Sequence, residues 1–198
     1  MTTAISPPPL EISHRCRISA LDPERVWTLR GDTLWMITDG QADIPFPLRA
    51  MIKLRLEFAP SRFQRNRYRC YISHPGGHSA LIQNEHYKGI ADFEDRSESY
   101  RNLVIALIRR TSACNHGCQM TTGTSLWSWL LQTGFLLVAY GFLAIVLILM
   151  WTAVGWLVLV KLGIIIFLTP AAIGWVMKNR PSTFSAQAIP EKLLPKAQ

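Results

Sequence analysis

Two patterns divide this chain. Through the first 124 residues apolar and polar positions interleave, whereas residues 126–177 are continuously apolar with a single charge, Lys161. In the interleaved part the period is mostly two. Residues 26–30 and 33–38 flank Gly31-Asp32, a two-residue hairpin signal. Residues 41–46 are interrupted by Pro45, with Pro47 just beyond, which suits an edge or bent strand. Along 52–58, Ile52, Leu54, Leu56 and Phe58 point one way while Lys53, Arg55 and Glu57 point the other. Residues 67–73 place Tyr68, Cys70 and Ile72 opposite Arg67, Arg69 and Tyr71. Pro75-Gly76-Gly77 turns the chain into a strand at 79–83, and a further strand is expected over 86–90.

At Asp95 the period lengthens. From there to about Thr111, Tyr100, Leu103, Val104, Leu107 and Ile108 recur at helical spacing. Asp95 and Glu98 have the spacing of a capping box, and Arg109 with Arg110 would fall in the last turn, where the helix dipole favours positive charge. About seven strands followed by one amphipathic helix predict an α+β fold: a small bent β-barrel with the helix closing its open end. The domain plan is a disordered lead-in at 1–11, the barrel-plus-helix domain at 12–112, a linker at 113–125, the apolar segment at 126–177 and a tail at 178–198.

This order of elements resembles the pleckstrin-homology-like (PH-like) domains of bacterial membrane proteins. The resemblance runs over residues 22–112. It is carried by Ile44-Pro45-Phe46-Pro47-Leu48-Arg49-Ala50-Met51-Ile52-Lys53-Leu54-Arg55-Leu56, by the strand from Tyr68 to Ser73, by the Gly76-Gly77 turn and by the helix ending in Leu107-Ile108-Arg109-Arg110. It implies a helix-capped barrel next to membrane helices, in a bacterial inner-membrane protein.

The apolar segment is too long for one crossing. As a single helix it would reach about 78 Å, against a hydrocarbon core about 30 Å thick. Two transmembrane helices, at about 126–150 and 156–177, would use that length. Tryptophan favours the headgroup level. Trp127 to Trp151 spans about 36 Å of helix and Trp156 to Trp175 about 28 Å, each matching a tilted crossing. Gly134 and Gly141 would let the helices approach, and Thr169-Pro170 would kink the second. Lys161 is an intramembrane charge with two readings, a group that serves transport or pairing and, favoured, one whose long stem reaches the headgroups past Trp156. Arg109, Arg110, Lys178 and Arg180 lie close to the outer ends of the pair while the turn between the helices has no Lys or Arg, so both termini are expected in the cytoplasm. Residues 1–20 lack the apolar core of a cleaved signal, which agrees.

Charge alters this picture little. The net +8 divides into +4 on residues 1–124 and +3 on 178–198, plus Lys161. A membrane protein facing anionic lipid carries that bias, and no nucleic-acid partner is expected. The candidate binding surface is basic: Arg65, Arg67 and Arg69 on one strand face, with Arg62 nearby and Lys53 and Arg55 beside them, suited to anionic lipid or an acidic partner. Cys114-x-His116-x-Cys118 offers three zinc-ligand types in five residues but has no fourth ligand near it, and its spacing is not that of a zinc knuckle. Cys70, His74, His78 and His86 are a second grouping around one hairpin end, read more simply as a core cysteine and solvated histidines. No metal or cofactor is expected from either. The four cysteines do not require disulfides. Nucleophile elbows, phosphate loops and dinucleotide fingerprints are missing from the sequence. The expected function is therefore a non-enzymatic, membrane-anchored interaction or assembly module, with the bilayer and a protein partner or second copy as its partners. The alternative is a subunit of a small transporter or channel in which the apolar segment is the working part.

Overall fold

The structure is a computed structural model. It describes residues 11–62, 64–150 and 180–196, together with 163, 165–167, 169–170, 172–174 and 176–177. Contacts divide the chain into two units: Met1–Thr122 with Thr183–Gln198, and Gly123–Ser182. We call them the sheet unit and the apolar unit.

In the sheet unit, β1 (Ile12–Cys16), β2 (Arg25–Arg30), β3 (Thr33–Thr38) and β4 (Ile44–Pro47) form an antiparallel sheet in that order. The two-residue turn Gly31-Asp32 joins β2 to β3, and Gly31 takes the positive φ of 55° that the first position of a tight hairpin favours. A second sheet contains β5 (Lys53–Phe58), β6 (Tyr68–Ser73) and β7 (Ser79–Gln83), antiparallel to one another. β8 (Glu85–Gly89) and β9 (Asp92–Asp95) make a separate ribbon that leads into α1 (Ser97–Cys114). β10 (Gln119–Thr122) then runs parallel to β5.

The apolar alternations meet in one core. The cross-strand registers line up Leu54 with Ile72 and Ala80, and Leu56 with Cys70 and Ile82, all on the buried face. Trp27, Leu29, Leu34 and Phe46 face them from the first sheet. The helical stripe Tyr100, Leu103, Val104, Leu107 and Ile108 is fully buried in the same cluster. Burying one such side chain is worth about 1.5–3 kcal/mol, which makes this stripe the principal tie between α1 and the sheets.

The barrel expectation is corrected. There are eleven strands among the described residues, in three open sheets, and no closed seven-strand barrel. The physical reason lies at the corner between β1 and β7, where side chains take the place of a ladder. The His14 Nε2–H donates to the Gln83 carbonyl at 2.8 Å, and the Gln83 side-chain amide donates to the Glu85 carbonyl at 3.0 Å. At the other corner the short 3-10 turn Leu48–Ala50 separates β4 from β5.

Four further features differ from expectation. The supposed linker contains β10, because the chain after α1 is pinned by Asn115 and enters the second sheet. The supposed tail folds back: the Phe184 amide donates to the Met120 carbonyl, the Arg101 guanidinium donates to the Pro195 carbonyl, and Leu194 is buried in the core. Asp95 does not share a capping box with Glu98. Its carboxylate accepts from the backbone and hydroxyl of Ser97 instead. The helix also runs on to Cys114, so Arg109 and Arg110 are not in its last turn, and Arg110 donates to the Gly31 carbonyl.

In the apolar unit, α2 (Leu126–Met150) is uncharged, and its stretch Leu126–Val146 is long and apolar enough to cross a membrane, with mean hydropathy 1.9 and none of it buried. The expected two-helix transmembrane hairpin is not evident among the described residues. The other apolar helix there, Ile165–Gly174, is shorter than a crossing requires. The length of an apolar run does not say where its helices break. The Trp129 indole N–H donates to the Val176 carbonyl at 3.0 Å, and the Thr169 hydroxyl donates to the Ile165 carbonyl beside Pro170. A Cβ at Gly134 or Gly141 would meet nothing within 4 Å among the described residues. Lys161, Trp151, Trp156 and Trp175, on which the turn and the second crossing were argued, lie outside the described residues, as do residues 1–10.

Candidate functional site

The expected basic face divides into three places. Lys53, Arg55 and Glu57 do share the outer face of β5, and Arg69 and Tyr71 continue it on β6 through the pairs Arg55 with Tyr71 and Glu57 with Arg69. The Arg55 guanidinium lies 4.1 Å from the centre of the Tyr71 ring and 3.7 Å from the Glu57 carboxylate. Its side chain is only 16% exposed. Arg69 donates to the Tyr71 hydroxyl at 3.3 Å. The face is therefore a set of local pairs, with Glu57 balancing one cation.

Arg67 serves the loop between β5 and β6. Its Nε–H donates to the Ala59 carbonyl at 2.7 Å and its Nη1 to the Gln64 side chain at 2.8 Å. Burial, reinforced by neighbouring Arg69, lowers its pKa. Arg65 does not share a strand face with Arg67 and Arg69, because β6 begins only at Tyr68 and Arg65 occupies the preceding turn. With Arg62 it lines a cavity of about 390 Å³ whose other walls include Gln64, Glu85, Asp92 and Asp95. Three carboxylates and two guanidinium groups make that cavity mixed in charge, not basic. Glu85 is 7% exposed, and its Oε2 has no hydrogen-bond partner among the described residues. Burial raises its pKa, against the opposing pull of Arg67.

Beside this cavity is a residue the sequence reading passed over. Asn84 is fully buried and donates to the Asn66 carbonyl, Asp95 Oδ1 and the Ser97 hydroxyl, while accepting the Tyr68 amide at 2.7 Å. It joins the end of β7, the β6 loop and the start of α1. His14 was passed over too. Because its Nε2–H is committed to the Gln83 carbonyl, Nδ1 accepts from the Ser99 hydroxyl at 2.8 Å. Desolvation lowers its pKa to about 4, so it stays neutral. A signal existed: Ile12, His14 and Cys16 alternate inward, which makes His14 a polar group on an apolar face.

The zinc-like groupings do not assemble. Among the described residues no group of three His, Cys, Asp or Glu is placed to hold a metal. Burial pushes the Cys118 thiol up to about 11 and the Cys70 thiol up to about 12. Cys114 is half-buried at the end of α1, and His116 is exposed. The residue that organises the segment is Asn115, whose amide donates to the carbonyls of Leu48, Arg49 and Met51. His74 packs edge-on against Phe46, and His86 is 3.9 Å from Glu24.

Comparison with family models, curated proteins and solved structures finds no match to this chain.

Proposed function

We propose that this protein is a membrane-tethered, non-enzymatic interaction module whose sheet unit holds a protein-binding surface at the bilayer. The observation that carries the reading is the path of the chain. It leaves the sheet unit at Thr122 for an apolar segment containing a membrane-length helix, and residues from Thr183 onward belong to the sheet unit again. A folded unit made from both flanks has both on one side of the bilayer, and the Lys and Arg surplus of those flanks favours the cytoplasmic side. The paired and mixed charges around Arg55, Arg65 and Glu85 favour a protein partner over anionic lipid, which would select unbalanced positive charge.

The test is chemical cross-linking in native membranes, followed by purification of the full chain and of a Leu107→Asp variant. A partner captured by the wild type and lost with the unfolded sheet unit supports the reading. The same captured set from both would assign the association to the apolar segment and overturn it.

A further inference from the structure

A groove of about 510 Å³ runs between β1 and α1, with Glu11 and Ser13 on one wall and Asn102, Ile105, Ala106 and Arg109 on the other. The backbone of β1 decides what this groove can accept. Arg30 and Thr33 close the two-residue hairpin, so the even residues of β2 bond to β3 and the odd ones to β1. In the register Ile12 with Leu29 and His14 with Trp27, the even residues of β1 then bond to β2. The odd residues point their N–H and C=O groups outward. Two observations confirm the parity: the Arg15 carbonyl accepts from Arg96, and the Arg17 carbonyl accepts from the Tyr87 amide. Ser13 has the same parity, so its N–H and C=O face the groove, a sheet edge without a backbone partner among the described residues.

Direction and charge narrow the occupant. His14 meets Ser99 near the start of α1, while Arg110, further along the helix, reaches Gly31 at the end of β2 where Glu11 lies. The helix therefore passes β1 in the opposite sense, with Arg109 beside the N-terminal end of the strand. The Glu11 carboxylate is already held by Arg30 at 2.8 Å. Arg109 is exposed and has no ion-pair partner among the described residues. A strand added antiparallel to β1 would bring its C-terminal end to that guanidinium.

Resting on the interaction-module reading, we infer that this groove takes an extended peptide segment antiparallel to β1, with main-chain bonds to Ser13, an apolar side chain against Ile105 and Ala106, and a carboxylate at its C-terminal end on Arg109.

The probe is a fluorescein-labelled peptide, Thr-Val-Thr-Val-Thr-Val-Asp, with a free C-terminus, measured by anisotropy against the detergent-solubilised full chain. Its counterpart ends in an amidated asparagine. The acid peptide should bind more tightly, and Arg109→Gln should weaken it about fivefold, the upper range for an exposed ion pair, without changing the amidated one. Ser13→Pro removes the outward donor but leaves the β1–β2 ladder intact, and should abolish binding of both. Asn102→Trp, at an exposed helical position, should do the same by filling the groove. Binding of both peptides unchanged in Ser13→Pro and Asn102→Trp, or absent from the wild type, overturns the inference. Concentration-dependent self-association that Ser13→Pro removes, with no peptide binding, would assign the edge to a second copy and also overturn it. A membrane partner that still cross-links to Asn102→Trp would show that the module reading stands while the groove assignment fails.

Discussion

The sheet unit and the apolar unit are specified by different physics. In the sheet unit, apolar burial supplies the stability, but buried and half-buried polar side chains decide which backbone meets which: His14 ties β1 to β7, Asn84 ties β7 to the start of α1, and Asn115 ties the end of α1 to the 3-10 turn before β5. Each satisfies main-chain groups that would otherwise be buried without partners, at a cost of about 1–3 kcal/mol apiece. In the apolar unit the described hydrogen bonds from side chains are few, and a continuous run of Leu, Ile, Val and Phe defines only that the segment avoids water. Specific geometry comes from polar groups placed where water is not, and an apolar run alone leaves the position of its helix ends open.

The largest test of this contrast is Leu107→Asp. It puts an unpaired carboxylate into the fully buried stripe of α1 and should destabilise the sheet unit by about 4 kcal/mol or more, seen as loss of amide protection over residues 12–122 in hydrogen exchange on the full chain. Helix protection in α2 should survive, since its stability comes from the apolar environment. Joint loss would mean the two units are not specified separately.

The next effect is pH-dependent. The folded pKa of His14 is about 4 against an ordinary 6.5, so between those values the unfolded chain binds a proton that the folded one does not. Stability of the sheet unit therefore rises with pH through that window, and falls by about 3 kcal/mol as pH drops from 6.5 to 4. Below pH 4 both forms are protonated and this contribution is flat. His14→Gln should reduce the slope of midpoint stability against pH without removing it, because burial also lowers the pKa values of His74 and His86. An unchanged slope would show that His14 is not a buried neutral imidazole.

Removing an asparagine tie should cost somewhat less. Asn84→Ala leaves the Tyr68 amide and the Asn66 carbonyl without that partner, for about 2–3 kcal/mol, and Asn115→Ala about 1–3 kcal/mol, each read as faster exchange local to the joined elements. The smallest effect belongs to the outer face of the second sheet. Arg69→Ala should change stability by less than about 1 kcal/mol, as expected for a polar contact at a partly exposed pair.

Much of the sheet unit was legible in the sequence because alternation and helical spacing report burial directly. Leu54, Leu56, Cys70 and Ile72 fell on one face, and the five-residue stripe of α1 was readable residue by residue. The open sheets were not legible, since closure depends on whether two edges meet through ladders or through side chains such as His14 and Gln83. The strand at 119–122 was hidden inside a segment read for its Cys and His, and what fixes that segment is Asn115, a residue whose importance comes from three carbonyls distant in sequence. The arginines were readable as a cluster, but the alternation counted through Arg65 as if the strand began there. Glu57, Glu85 and Asp95, which balance them, are separated from them in sequence or stand on other elements.

The proposed reading holds that the two flanks of the apolar segment, which belong to one unit, share one side of the membrane. Its most direct test places one epitope tag at the N-terminus and another at the C-terminus of the full chain and adds protease to intact spheroplasts and to inverted inner-membrane vesicles. The account predicts that both tags survive in spheroplasts and both are lost in inverted vesicles. Loss of one tag in each preparation would put the flanks on opposite sides and contradict it.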